Sequence, residues 1–215
     1  MTKQAALSGS DPDEAVFQAA GQLFREKGFA ATTVREIAAA AGMLPGSLHY
    51  RHASKEELLL ALMDRGINRA TTAVRLAIAG VVDPLDRLRA ALRAHLRLLV
   101  REDDAIYVLL YEDRALSGTG REHMVRLRDR YDALWDGVLH EAAGTGRFRP
   151  EIDLRMVRLF LLGGANWTAQ WFSPRGAATV DEIADGFADL ILRGLLAEPR
   201  QRPALSLLPP PPGEP

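Results

Sequence analysis

The chain has 215 residues, 47% hydrophobic and 26% charged, the balance of a globular protein long enough to bury a core without covalent staples. It contains no cysteine, which excludes disulfides, thiolate metal sites and a cysteine nucleophile and suits a reducing cytoplasm. With 27 basic against 28 acidic side chains the net charge is −1, so any nucleic-acid binding must come from local geometry rather than a basic field.

The opening MTKQAALSGS lacks an apolar core, and no apolar run approaches the ~20 residues of a membrane helix. Neither a leader nor a membrane span is therefore expected, and residues 1–10 are expected to be a flexible lead-in. Asp11-Pro12, an N-cap before a proline at the first helical position, opens a helix. Val16, Phe17, Ala20, Leu23 and Phe24 recur along it at three-to-four spacing, and Gly28 stops it. Thr33-Val34-Arg35-Glu36 is a capping box that opens a short helix, broken at Gly42. A third helix is predicted over 45–50. Ser54-Lys55-Glu56-Glu57 is a second capping box, opening a longer helix into the seventies.

Asp83-Pro84 starts the next helix, with Leu85, Leu88, Leu92, Leu96 and Leu99 on its apolar side. Further helices are predicted over 105–116, from a Thr119 cap to about 143, over 153–171, and from a Thr179 cap over 180–196. The proline-rich stretch 198–215 is expected to be a disordered tail. No segment alternates as a strand does, so the reading is all-α with about nine helices. It divides at 11–56 and 57–197.

Three short helices, the second and third joined by Ala41-Gly42-Met43, form a helix-turn-helix. Small Ala38 and Ala41 beside Ile37 allow the two helices to cross closely, and the third can then lie against base edges in a major groove. The surrounding charge is neutral support: residues 1–60 hold six basic and seven acidic side chains.

The run 23–59, LFREKGFAATTVREIAAAAGMLPGSLHYRHASKEELL, resembles the DNA-binding domain of the TetR family of repressors. The match lies in Leu23-Phe24, Gly28-Phe29, Thr32-Thr33, Ile37-Ala38, Ala41-Gly42, Gly46-Ser47-Leu48 and Ser54 through Leu58. The resemblance implies a helical ligand-binding and dimerisation domain in the remainder and double-stranded operator DNA as partner. It implies that Thr33 bonds a phosphate, that Tyr50 lies along the backbone, and that Lys55 adds charge beside exposed N–H groups. With Arg35 nearby, Leu44, Pro45, Gly46, Ser47 and His49 would occupy the base-reading face. The sequence departs from the family pattern at Leu44, where Ser or Thr is usual, and at His49 and His52, where Tyr and Phe are usual.

In the remainder, Tyr107, Tyr111, Trp135, Trp167 and Trp171 are large amphipathic side chains that either line a ligand cavity or pack core and dimer contacts. The segment 163–176, GGANWTAQWFSPRG, is similar to one in a TetR subgroup of lipid- and steroid-catabolism repressors that respond to acyl-CoA esters. That likeness implies an acyl-CoA effector and a pocket role for Trp167. Arg89, Arg93, Arg97 and Arg101, spaced by four, either hold ligand phosphates or form a solvated face paired with Asp86 and Glu102.

The family pairs its last two helices across a twofold, here with Leu159, Phe160, Leu161, Phe187, Leu190, Ile191 and Leu195 as candidates. His95, His123 and His140 stand singly, without metal-ligand spacing, so neither metal nor cofactor is expected. No glycine-rich phosphate loop or nucleophile motif supports an enzyme. The reading is a homodimeric repressor released by a small molecule; a drug-responsive regulator of the same fold and a helical adaptor without DNA binding are the alternatives.

Overall fold

The computed structural model describes residues 12–100 and 104–196. The expected lead-in, the Asp11 cap, Arg101, Glu102 and the proline-rich tail lie outside them. Nine α-helices run through the described residues: α1 Pro12–Ala31, α2 Val34–Ala40, α3 Pro45–Arg51, α4 Lys55–Ile78, α5 Pro84–Leu99, α6 Asp104–Tyr111, α7 Gly118–Gly144, α8 Leu154–Trp171 and α9 Val180–Leu195. A 3-10 turn, Asp113–Ala115, follows α6, and one isolated bridge pairs Phe148 with Leu196.

The first three helices close around Val16, Ala20, Phe24, Ile37, Ala38 and Leu48, all buried. Helical geometry in α1 breaks at Gly28, and beyond it the Thr32 hydroxyl donates to the Gly28 carbonyl at 2.9 Å. At α2 both halves of the expected capping box form: the Glu36 N–H donates to Thr33 Oγ1, and the Thr33 N–H donates to the Glu36 carboxylate. Gly42, with φ +68°, turns the chain into α3, a conformation that costs a residue with a Cβ about 1 kcal/mol or more. Leu44 caps α3 without a side-chain bond, and Pro45 at the first helical position supplies the fixed φ instead.

The long helix α4 joins this trio to the remainder. It is continuous from Lys55, so the division expected between 56 and 57 falls inside its first turn. It packs on α5, α6 and α7 as well as α1. Gly66 lets α6 come close, since a Cβ there would lie 2.9 Å from the Ala105 carbonyl oxygen. Two predicted termini move. The helix expected to 116 ends at Tyr111 and tightens into the 3-10 turn. The cap expected at Thr119 lies at Ser117, whose N–H donates to the Glu56 carboxylate of α4 at 2.6 Å. Among the described residues no helix is long and apolar enough to cross a membrane.

Candidate recognition helix and interhelical cavity

The helix α3 carries one anchor and one open face. Leu48 is 1% exposed in the core of the trio, whereas Leu44, Pro45, Gly46, Ser47, His49 and Tyr50 are all exposed, Tyr50 at 94%. His52 caps the helix and stacks edge-on against Phe17 of α1, ring centres 5.6 Å apart. The unusual histidine there therefore packs the trio rather than facing outward. Arg51 pairs with Asp13 at 2.7 Å. Arg35 is exposed on α2.

Two of the expected phosphate contacts have other work in the free protein. The Thr33 O–H donates to the Glu36 carboxylate at 2.8 Å. That carboxyl is held down to about 2, first by the bond from Lys27 and then by those from Thr33. Lys55 is not the free cation the resemblance implies. Its ammonium donates to the carbonyls of Phe29 at 2.6 Å and Thr32 at 2.8 Å, and lies 4.1 Å from the Phe29 ring centre. It ties the carboxyl end of α1 to the start of α4, where a cation complements the helix dipole.

In the remainder, α4 to α8 enclose a cavity of about 270 Å³. Leucine, isoleucine and alanine side chains make most of its wall, with Leu98 and Leu99 from α5, Ile106 and Leu109 from α6 and Leu162 from α8. His95, Tyr131 and Asn166 form its uncharged polar part. The Tyr131 hydroxyl lies 2.8 Å from His95 Nδ1, and Asn166 Oδ1 lies 3.1 Å from His95 Nε2. Burial pushes the imidazole down to about 4 and raises the Tyr131 phenol, so both are neutral near pH 7. Arg128 and Asp132 also line the cavity, each held in an ion pair, with Asp113 and Arg158 respectively.

None of the five aromatic residues expected at a pocket lines this cavity in the protomer. Trp135 is fully buried behind His95, edge-on at 5.6 Å. Tyr107 and Tyr111 stack on each other, and Arg25 of α1 lies over the Tyr107 ring. Trp167 is 65% exposed, and with Trp171 it follows Met156 and Phe160 along one outward stripe of α8, at helical spacings of 4, 11 and 15. Of the Asn166-Trp167 pair it is the asparagine that faces the cavity. His95 and Tyr131 are the residues that sequence spacing missed, since their partners lie 36 and 71 positions away.

The arginine stripe meets a second stripe. Arg89 pairs with Asp189 at 2.6 Å, Arg93 with Asp185, and Arg97 with both oxygens of Asp181 at 2.6 Å. Three arginines on α5 thus face three aspartates on α9, each set spaced by four. These three pair with α9 rather than with Asp86, and are engaged there rather than open to a ligand's phosphates, while Arg101 and Glu102 lie outside the described residues.

A crossed helix pair presenting the open face of its second member, joined by a shared helix to a bundle around an apolar cavity, defines a helix-turn-helix DNA-binding regulator. The comparisons agree. Residues 16–62 match the model for bacterial regulatory proteins of the tetR family, and residues 81–195, over half of the chain, match that for the tetracyclin repressor-like C-terminal domain. The chain belongs to the TetR family of transcriptional regulators. It is 33% identical to the HTH-type transcriptional repressor KstR2 of Rhodococcus jostii over 181 residues, covering 82% of this chain and 87% of that one. Among solved structures it is similar to AibR in complex with isovaleryl coenzyme A and operator DNA, at TM-score 0.77 and 28% identity over 84% of this chain and 97% of that one. It is also similar to PfmR from Thermus thermophilus, at TM-score 0.74 and 31% identity over 83% and 97%.

Proposed function

We propose that the chain is a cytoplasmic homodimeric repressor, released from a pseudopalindromic operator when the acyl group of an acyl-CoA ester enters the cavity. The observation that carries this reading is the pairing of an open α3 face with a mostly apolar cavity linked to it through α4 and α6. Ser47, His49 and Tyr50 supply the base and backbone contacts, with Arg35 as the nearby cation, and Leu44, Pro45 and Gly46 allow close approach to the groove. Thr33 joins them by exchanging its bond to Glu36 for one to phosphate.

The apolar stripe of α8 and the adjoining face of α9 support a twofold dimer. Phe160 is 71% exposed beside Met156 and Leu190, around a shallow groove between the two helices. Leu161 and Leu195, expected in that interface, are buried within the protomer. Trp167 and Trp171 belong to the same outward surface and would be covered by a second copy. A dimer presents two α3 helices about one turn of DNA apart, or a multiple of it. The ligand acts only if it binds the released conformation more tightly than the operator-bound one.

Two relatives support this reading: KstR2 is a transcriptional repressor, and AibR has been crystallised with isovaleryl coenzyme A and operator DNA. The chain's role is then regulation rather than catalysis. Its test is a gel shift with DNA from upstream of its own gene, with and without acyl-CoA esters, free acids and common drugs. Release by CoA esters alone supports it, release by drugs alone moves the effector to another class, and no binding at low salt overturns it.

A further inference from the structure

Within the cavity, the hydrogen-bond inventory around His95 is closed on one side and open on the other. A neutral imidazole carries one N–H and one lone pair. Asn166 presents its oxygen to Nε2, so Nε2 carries the proton and donates. Nδ1 is then the lone pair, and it accepts from the Tyr131 hydroxyl, which has a proton to give. The chain therefore runs Tyr131 to His95 to Asn166 with every proton assigned, and neutrality of the buried ring keeps it so near pH 7.

What remains is the Asn166 NH2 group. The side chain lines the cavity, its oxygen is held by His95, and among the described residues nothing accepts from its Nδ2. In the tautomer that matches this amide orientation, the histidine holds the Asn166 oxygen and leaves the NH2 without an acceptor among the described residues. With the Arg128 and Asp132 charges of the same cavity matched by Asp113 and Arg158, a donor held in this way beside an aliphatic wall selects an acceptor without a charge, which a carbonyl oxygen provides. The cavity size bounds the rest of the ligand. An enclosed apolar cavity of about 150 Å³ holds benzene, so about 270 Å³ holds roughly ten heavy atoms.

We propose that the cavity takes a compact aliphatic acyl group whose carbonyl oxygen accepts a hydrogen bond from the Asn166 side-chain NH2, with His95 and Tyr131 as positioning residues. This rests on the reading of the cavity as the effector site. The Leu98, Leu99 and Leu109 wall holds the chain, and the asparagine distinguishes an acyl thioester from a thioether of the same length.

Calorimetry on the full-length protein with octanoyl-CoA and with octyl-CoA, in which a methylene replaces the carbonyl, tests this directly. The wild type is expected to bind the thioester about tenfold more tightly. Asn166→Asp keeps an oxygen facing His95 but removes the donor, and is expected to bring the ratio to one or below. Tyr131→Phe, which frees the imidazole to turn, is expected to lower the ratio without abolishing it. Equal affinities in the wild type, or an unchanged ratio in Asn166→Asp with operator binding retained, would overturn the proposal. If neither CoA compound binds, the acyl-CoA reading has failed, and 2-octanone against octane by thermal shift decides the carbonyl proposal alone. A larger shift with the ketone supports it, and equal or absent shifts overturn it.

Discussion

The helix trio and the bundle keep their working residues in opposite places. In α1 to α3 the buried residues set the shape, and the residues assigned to DNA stand on the surface, from Leu44 to Ser47 and at His49 and Tyr50. In α4 to α8 the residues assigned to a ligand are themselves the interior, with His95, Tyr131 and Asn166 inside the packing. A surface site can change its chemistry without cost to the fold. An interior site cannot, because its polar groups must satisfy one another.

The sharpest way to break that contrast is a pair of substitutions on α3. Leu48→Ala empties a fully buried position and is expected to cost about 2–5 kcal/mol, read as a lower melting temperature with operator binding lost. Tyr50→Ala, on the exposed side, is expected to stay within about 0.5 kcal/mol of the wild-type stability while weakening operator binding. A large stability loss at Tyr50 would mean that the two faces are not separate.

The bundle's dependence on its interior site has a pH signature. The folded state holds His95 near 4 against 6.5 for the free side chain, so the unfolded chain binds the extra proton between those values. Stability from this group is whole above pH 6.5 and falls as the pH drops toward 4, by ~3 kcal/mol at order of magnitude. Melts between pH 7 and 5 are expected to show the loss in the wild type and a flatter profile in His95→Gln. The Glu36 contribution is lost only below pH 4.5, so it lies outside that comparison.

The smallest effect is expected at the α5–α9 ladder. Its side chains are 35–55% exposed, so Arg93→Ala is expected to cost about 1 kcal/mol or less, and less still in high salt. A loss of several kcal/mol would show that the ladder, not apolar packing, holds α9 in place.

Much of the trio was legible because its signals are local. The Thr33–Glu36 box, the Gly28 stop, the Gly42 turn and Pro45 each act within a few residues of themselves. Lys55 misled because its partners are carbonyls at the end of α1 and just past it, more than 20 residues back. In the bundle, size and type drew attention to the tryptophans, but helix rotation alone decides that Asn166 faces in and Trp167 faces out. The ladder was written at spacing four in both helices, at Arg89, Arg93 and Arg97 and at Asp181, Asp185 and Asp189. Only the fold shows that the two stripes meet.

Fluorescence anisotropy of labelled DNA from upstream of the gene, titrated with the full-length protein and then with octanoyl-CoA, shows whether this chain is a repressor released by an acyl-CoA ester. Saturable binding is expected, falling by at least about fivefold in affinity when the ester is added, with a weaker complex for Tyr50→Ala. Binding that is indifferent both to the ester and to Tyr50→Ala would contradict it.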